Sequence, residues 1–307
     1  MAKDFAQLEW DAQLACDWEK LLSLARDEDL DKAGDCTTQA LVPPTSQGSA
    51  CIVAREPGVV CGLFAAEMTF RAMDDDFTIS RELVDGATVQ RGAVLMHVVG
   101  RAGRLLTAER TVLNVLGRLS GIATLARRYV DAVSGTGARI YDTRKTTPGW
   151  RRLEKYAVRC GGGHNHRSGL YDAVLIKDNH LAFCQGQHTG KIEPAAAVRQ
   201  ARAWLSQHSL RDDGDPPIVE IEVDTLEQLV EVLPVRPDIV LLDNMTPEEL
   251  RRAVALRDAD GFGVELEASG GIHLDSVAAV AATGVERISV GALTHGAVSL
   301  DVGLDWD

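Results

Sequence analysis

No run in this chain approaches the ~20 apolar residues that a bilayer-spanning helix requires. The opening Met1-Ala2-Lys3-Asp4 leads into no signal-like hydrophobic segment. The expectation is a cytoplasmic protein with no membrane partner. Cysteine is scarce and scattered: Cys16, Cys36, Cys51, Cys61, Cys160 and Cys184 make no C-x-x-C pair. That argues against a disulfide scaffold, and the six read as reduced thiols, mostly buried or inert. Basic charge is also in deficit, with 32 Lys and Arg against 45 Asp and Glu for a net −13. A nucleic-acid partner is therefore excluded, because polyanion binding needs a basic face. What remains is ordinary: 307 residues, 45% hydrophobic and 25% charged, enough to bury a core in one large domain or two modest ones.

Against this acidic background the stretch Tyr141–His180 stands out. It holds Asp142-Thr143-Arg144-Lys145-Thr146-Thr147-Pro148-Gly149-Trp150-Arg151, then Gly161-Gly162-Gly163-His164-Asn165-His166-Arg167, then Lys177-Asp178-Asn179-His180. From Arg144 to Arg167 there are seven cations (144, 145, 151, 152, 155, 159 and 167) and one acid, Glu154. A concentrated cationic pocket in an acidic chain points to a small, multiply anionic ligand. The alternative is a basic helix face that is merely solvated. The glycine run favours the ligand, since it would let backbone approach one closely.

Along the chain, residues 7–27 carry Leu14, Trp18, Leu21, Leu22 and Ala25 at helical spacing. Gly34-Asp35-Cys36-Thr37-Thr38 breaks that helix. Strand-like runs follow at Ser49–Arg55, Val59–Phe64 and Val94–Val99, with Pro57-Gly58 as a turn between the first two. A long amphipathic helix is expected from about Thr107, a candidate cap, through Val133, ending at the hinge Ser134-Gly135-Thr136-Gly137. Beyond it the rhythm becomes βα repeats. Strands are expected at 138–143, 173–177, 218–223, 239–243, 264–268 and 287–291, and helices at 150–159, 194–207, 225–233, 247–257 and 274–283.

The fold class is thus α/β: an N-terminal α+β domain followed by an incomplete six-stranded (β/α) barrel. The boundaries are 1–120 and 121–291, with 292–307 packing back on the first domain. Six strands are two short of a full barrel, which leaves a smaller barrel with its open side covered or a doubly wound open sheet. The barrel is preferred, because polar and Gly-rich sequence follows nearly every strand end, where barrel active sites collect.

Those strand ends, taken together, describe a ligand. Glu220, Glu222 and Asp224 alternate onto one face of the third strand. The fourth ends in Asp243-Asn244, the fifth in Ser269-Gly270-Gly271, and Gly291 follows the sixth. The two glycine-bearing ends suit a phosphate, held by backbone N–H groups at a helix start; a turn that simply needs glycine is the alternative. Glu222 and Asp243 suit ribose hydroxyls or Mg²⁺, or stay as half-buried capping acids. A phosphorylated sugar with a pyrophosphate leaving group and an acidic acceptor would fill such a site.

At this point the sequence resembles one family, the quinolinate phosphoribosyltransferases (carboxylating nicotinate-nucleotide pyrophosphorylases) of NAD biosynthesis. The resemblance spans nearly the whole chain. It is carried by Asp142–Arg151, Gly161–Gly169, Lys177–His180, Leu242–Asn244, Glu267–Ile272 and Ser289–Gly291, in the family's order and spacing. It implies an α/β-sandwich N-terminal domain and an incomplete six-stranded barrel. It also implies quinolinate and phosphoribosyl pyrophosphate as substrates and Mg²⁺ as cofactor. Arg144, Lys145, His166, Arg167 and Lys177 match positions around the quinolinate carboxylates and the pyrophosphate. Lys145 and Lys177 match the leaving-group cations, while Glu222 and Asp243 match the acids that hold ribose hydroxyls and organise Mg²⁺, directly or through water. Ser269, Gly270, Gly271 and Gly291 match the 5′-phosphate loops. Arg110 matches an arginine that reaches quinolinate in the neighbouring subunit, which implies a homodimer at least. Two departures are local: Cys36 in the Gly-Asp-x-Thr stretch, and a long polar connection at Phe183–Lys191. The rival readings are a non-decarboxylating phosphoribosyltransferase, a Schiff-base lyase using Lys145 or Lys177, and a non-catalytic binding protein that keeps the fold.

Overall fold

The computed structural model of the chain describes residues 3–183, 192–208, 217–261 and 263–307. The polar connection expected at Phe183–Lys191 lies, after Phe183, outside the described residues. The chain builds two compact units and passes between them repeatedly. One comprises Met1–Gln7, Arg128–Arg144 and His164–Ala292; the other comprises Leu8–Arg127, Lys145–Gly163 and Leu293–Asp307.

The N-terminal half opens with α1 (Ala12–Leu30), capped by Asp11, whose carboxylate accepts the Leu14 N–H. Leu14, Trp18 and Leu22 form its buried stripe. Asp35 then caps the short α2 (Cys36–Leu41), so the break at Gly34 opens into a second helix and not a strand. Next come β1 (Gln47–Ala54), β2 (Gly58–Val59), α3 (Leu63–Met73), β3 (Thr78–Arg81), β4 (Thr88–Val89), β5 (Val94–Arg101) and α4 (Ala102–Ala132).

Two expectations change here. The strand run at Val59–Phe64 is extended only over its first residues, because Leu63 and Phe64 begin α3. The cap of that helix is remote in sequence, since Asp85 accepts the Leu63 N–H at 2.9 Å. The long helix starts five residues before Thr107, straight out of β5. Thr107 lies inside it, where its hydroxyl bonds back to the Gly103 carbonyl at 2.9 Å and to Asp35 at 3.0 Å.

The C-terminal half runs β6 (Arg139–Tyr141), α5 (Arg151–Cys160), β7 (Ala173–Ile176), α6 (Asp178–Phe183), α7 (Pro194–Leu205), β8 (Ile218–Val223), α8 (Leu226–Val232), β9 (Ile239–Asp243), α9 (Pro247–Asp260), β10 (Glu265–Ser269), α10 (Leu274–Ala281), β11 (Arg287–Ser289), α11 (Ala292–His295) and β12 (Val302–Trp306). The expected βα rhythm is present, with some boundaries a few residues shorter and α9 three residues longer. Thr225 and Thr246 each form a reciprocal capping box, with Gln228 and Glu249 respectively.

In the unit that holds Leu8–Arg127, β12-β1-β5-β3 make a four-stranded sheet whose β12–β1, β1–β5 and β5–β3 pairs are antiparallel. Ile52, Met96 and Val98 of its strands are buried in one core with Phe70 of α3 and Leu105, Val112 and Leu116 of α4. The other unit holds the parallel six-stranded sheet, ordered β6-β11-β10-β9-β8-β7. Its edges, β6 and β7, are not paired to one another. The segment beginning at His164 bridges to Tyr141 alongside β6 instead, so backbone from the glycine-rich stretch covers an edge of the open barrel.

Candidate active site

A strand buried on both faces has an inner and an outer row, and in this barrel the two rows differ in chemistry. On β8, Val219, Ile221 and Val223 are buried apolar residues, while Ile218, Glu220 and Glu222 alternate with them. Successive inward positions rise from apolar to charged: Ala173 on β7, Ile218 and Glu220 on β8, then Glu222 near the strand's end. At the C-terminal end the acids and cations expected from the sequence do meet. The Lys177 ammonium bonds the Glu222 carboxylate. Burial raises the Glu222 pKa above its usual value; Lys177 opposes this, and the charges of Asp243 and Asp178 add to it. Asp243 stands directly across from Ser269 in the β9–β10 register. Lys177, Glu222, Asp243 and Ser269 are therefore brought to one rim by four adjacent strands.

The glycine at that rim has a structural reason. Gly270 has φ +88°, and a Cβ there would collide with the Asn244 side-chain amide and approach its backbone nitrogen to 3.0 Å. Asn244 is itself left-handed at φ +54° and donates its N–H to the Ser269 carbonyl at 2.9 Å. The loops after β9 and β10 thus lock together, with Gly270 and Gly271 ahead of α10. Gly291 follows β11 and precedes the short α11.

His166 and Arg167 are buried, although the segment that carries them is not a strand. Asp142, fully buried at the end of β6, accepts the His166 N–H at 2.8 Å and the Asn165 side-chain amide at 2.7 Å. The Arg167 N–H donates to His166 Nδ1 at 2.8 Å. Nδ1 is then the acceptor, so the ring hydrogen sits on Nε2. Nε2 lies 3.1 Å from Glu220 and 3.5 Å from Glu267. These three side chains cluster as metal ligands could, but that tautomer offers the carboxylates a proton and has no lone pair at Nε2 for a cation. Burial and the neighbouring Arg144 charge lower the Arg167 pKa, against the pull of Glu220 and Asp172.

Below this layer lies a charge network that sequence patterns did not single out. Arg287, fully buried, donates from Nε to Glu267 at 3.0 Å and from one terminal nitrogen to Asp4 and Glu265, each at 3.1 Å. Its guanidinium lies 3.7 Å from the Tyr141 ring centre. Arg139 reaches Asp4 at 3.0 Å and Glu265 at 2.9 Å. The alternation of acids on β10 was a signal that a charged row faces inward; nothing local marked Asp4 as its partner.

The cationic cluster of the sequence is divided between the two units. Arg151, Arg152, Lys155 and Arg159 all ride on α5, in the other unit from His166 and Arg167. Arg151 bonds Thr146, Arg152 pairs with Asp17, Arg159 bonds the Gly163 carbonyl, and Lys155 is fully buried. The lone acid Glu154, also fully buried, accepts from Arg118 at 2.6 Å and from the Thr147 N–H and hydroxyl at 3.0 and 2.9 Å. Gly161 and Gly162 have a structural role. A Cβ on Gly161 would strike the Ala123 carbonyl of α4, and Gly161 and Gly162 donate their N–H groups to close the end of α5. Lys145 is exposed, and its carbonyl accepts from the Thr294 hydroxyl at 2.7 Å. Arg110 is exposed on α4. Arg110 and Lys145 belong to the same unit as α5; the remaining expected site residues belong to the barrel unit.

Comparison with known proteins gives a consistent result. The family model described as quinolinate phosphoribosyl transferase, C-terminal domain, matches residues 122–305, and the corresponding N-terminal domain matches residues 35–120. A nicotinate-nucleotide pyrophosphorylase (carboxylating) from Mycobacterium leprae is 45% identical over 280 residues, covering 91% of this chain and 93% of that protein. A probable nicotinate-nucleotide pyrophosphorylase (carboxylating) from Bacillus subtilis is 41% identical over 273 residues, covering 89% and 88%. Among solved structures, the nicotinate-nucleotide pyrophosphorylase from Francisella tularensis superposes with a TM-score of 0.88 at 34% identity, covering 99% of this chain and 100% of that one. Among the described residues no helix is long and apolar enough to cross a membrane.

Proposed function

The chain belongs to the quinolinate phosphoribosyltransferase family, and from that premise we infer how its residues divide the work of the reaction. The enzyme is a pentosyltransferase of NAD biosynthesis. It transfers the phosphoribosyl group of phosphoribosyl pyrophosphate to quinolinate with decarboxylation, giving nicotinate mononucleotide, pyrophosphate and carbon dioxide. The ring nitrogen of quinolinate attacks the anomeric carbon, the bond to pyrophosphate breaks, and positive charge develops on the ribose. Loss of the carboxylate beside the quaternised nitrogen then leaves a carbanion that the ring stabilises and a proton quenches.

In our reading, Arg144, His166 and Arg167 bind the acceptor carboxylates, joined by Arg110 of a second copy in a homodimer. Guanidinium forks suit that task because each can hold a carboxylate through two parallel bonds. Lys145 and Lys177 neutralise the departing pyrophosphate, Glu222 and Asp243 hold the ribose hydroxyls, and Ser269, Gly270, Gly271 and Gly291 cradle the 5′-phosphate. The observation that carries this division is the rim built by Lys177, Glu222, Asp243 and Ser269 on four neighbouring strands. It sets a cation, two acids and a phosphate-type loop side by side at the C-terminal edge.

The same rim fits Mg²⁺. Glu222 and Asp243 are hard oxygen donors, and the charge of Asp243 adds to the rise in the Glu222 pKa, a repulsion that a divalent cation would relieve. Bound there, Mg²⁺ would supply charge neutralisation for the diphosphate. The protein's own part is orientation: it aligns the pyridine nitrogen with the anomeric carbon and needs no covalent intermediate. We place the reaction in the cytoplasm.

The decisive experiment incubates purified protein with quinolinate, phosphoribosyl pyrophosphate and Mg²⁺. Carbon dioxide release matched one-to-one by nicotinate mononucleotide, and abolished by EDTA, is the expected result. Consumption of nicotinate in place of quinolinate would overturn the decarboxylating assignment. Full turnover in EDTA would remove Mg²⁺ from it.

A further inference from the structure

The segment before α1 lies outside both spans matched by the family models, which begin at residue 35. Yet it is built into the barrel. Phe5, 5% exposed, fills the N-terminal mouth against Ala173, Ile218 and Ile239, the first inward residues of β7, β8 and β9. Lys3 pairs with Asp238 at 3.4 Å, just ahead of β9. Asp4 accepts from Arg139, Arg287 and the Tyr141 hydroxyl at 3.0, 3.1 and 3.0 Å. A plain plug would need nothing more.

This segment goes further, and reaches the residues that carry His166 and Arg167. The Phe5 ring lies 4.3 Å from the His166 ring. The Gln7 side-chain amide accepts the Asn165 N–H at 2.8 Å and donates to the Asn165 carbonyl at 3.2 Å. Asn165 is fully buried, so Gln7 satisfies both of its main-chain groups where water cannot. Residues 164–167 lie outside the strands of the sheet; the bridge at Tyr141 meets them, Asp142 bonds them from one side and Gln7 from the other. We propose that Phe5 and Gln7 are positioning residues of the acceptor site: the N-terminal strap fixes the depth and tautomer of His166 and, through the next residue, the direction of Arg167. This rests on the reading that His166 and Arg167 face quinolinate.

Phe5→Leu keeps the mouth apolar but removes the ring; Gln7→Ala removes the amide and leaves two buried main-chain groups of Asn165 unpaired, so circular dichroism first establishes that each variant is folded. The expected result is a rise of about tenfold in KM for quinolinate in each, the scale of losing a group that orients a ligand-binding residue. KM for phosphoribosyl pyrophosphate should hold within about twofold. Nitrogen-15 NMR of the histidines supplies a second readout that needs no turnover. The His166 pattern of an accepting Nδ1 and a protonated Nε2 should give way to a tautomer mixture in both variants. Parallel changes in both KM values and kcat would reduce the strap to a plug and overturn the proposal, as would an unchanged His166 spectrum. A wild-type protein inert toward quinolinate would count against the proposed function alone, since the spectrum judges the strap separately.

Discussion

Replacing Arg287 with methionine tests the charge network beneath the site. The side chain is fully buried and bonds three carboxylates on two segments: Glu265 and Glu267 of β10, and Asp4. Methionine fills much of the same volume, so the change is chiefly the loss of a charge. Removing one partner of a buried ion pair leaves the other uncompensated and costs about 3–5 kcal/mol. That is the expected loss at pH 7, measured by urea unfolding followed by circular dichroism.

The loss should depend on pH with a definite sign. Burial raises the Glu267 pKa, aided by the Glu220 charge and opposed by His166 and Arg287. An acid whose folded pKa lies above its unfolded value gains relative stability as the pH falls toward that folded value. Deleting Arg287 removes an opposing charge and raises the Glu267 pKa further, so the deficit of Arg287→Met should shrink as the pH falls from 7. Asp4 behaves oppositely. Burial works to raise its pKa, but Arg287, the Phe5 N–H and Tyr141 together lower it below 3.8. Its stabilisation in the parent is therefore lost only as the pH falls below the ordinary aspartate range. A deficit under about 1 kcal/mol at pH 7, as for a surface pair, would refute the network's role. So would a deficit that grows as the pH falls.

Three further outcomes follow from the rim and its supports. Gly270→Ala should cost about 1–2 kcal/mol for a left-handed alanine, and displacement of Asn244 should raise KM for phosphoribosyl pyrophosphate more than KM for quinolinate; equal effects on the two would argue against a phosphate role. Glu154→Gln should lose about 2–3 kcal/mol of stability, because the buried carboxylate anchors Arg118 and Thr147 together, and a change below 0.5 kcal/mol in denaturant melts would show that the anchor is idle. Lys177→Met leaves Glu222 without its ammonium partner, so its already raised pKa should climb further and the acid limb of kcat/KM should move to higher pH; an unmoved limb would detach Glu222 from the rate.

The sequence by itself determined the barrel. Its strands are short apolar runs bounded by glycine and capping threonines, and a local pattern such as Thr225 with Gln228 or Thr246 with Glu249 needs no distant partner to be legible. Glu222, Asp243 and Ser269 at consecutive strand ends were legible for the same reason: the two-residue period of a strand fixes which side chains share a face. What depends on distant segments was not. α3 was hidden because its cap comes from Asp85, and nothing local showed that within the run of seven cations Arg152 answers to Asp17 and the lone acid Glu154 to Arg118. The packing role of Gly161 was hidden too, because only α4 reveals what a Cβ there would strike. Asp4, Phe5 and Gln7 carried no signal at all. Their role arises where the chain's first residues meet strands and loops more than 130 positions away, as Asp4 meets Arg139 and Arg287 and Gln7 meets Asn165. Those long-range meetings, which no local period encodes, are what tertiary structure alone decided.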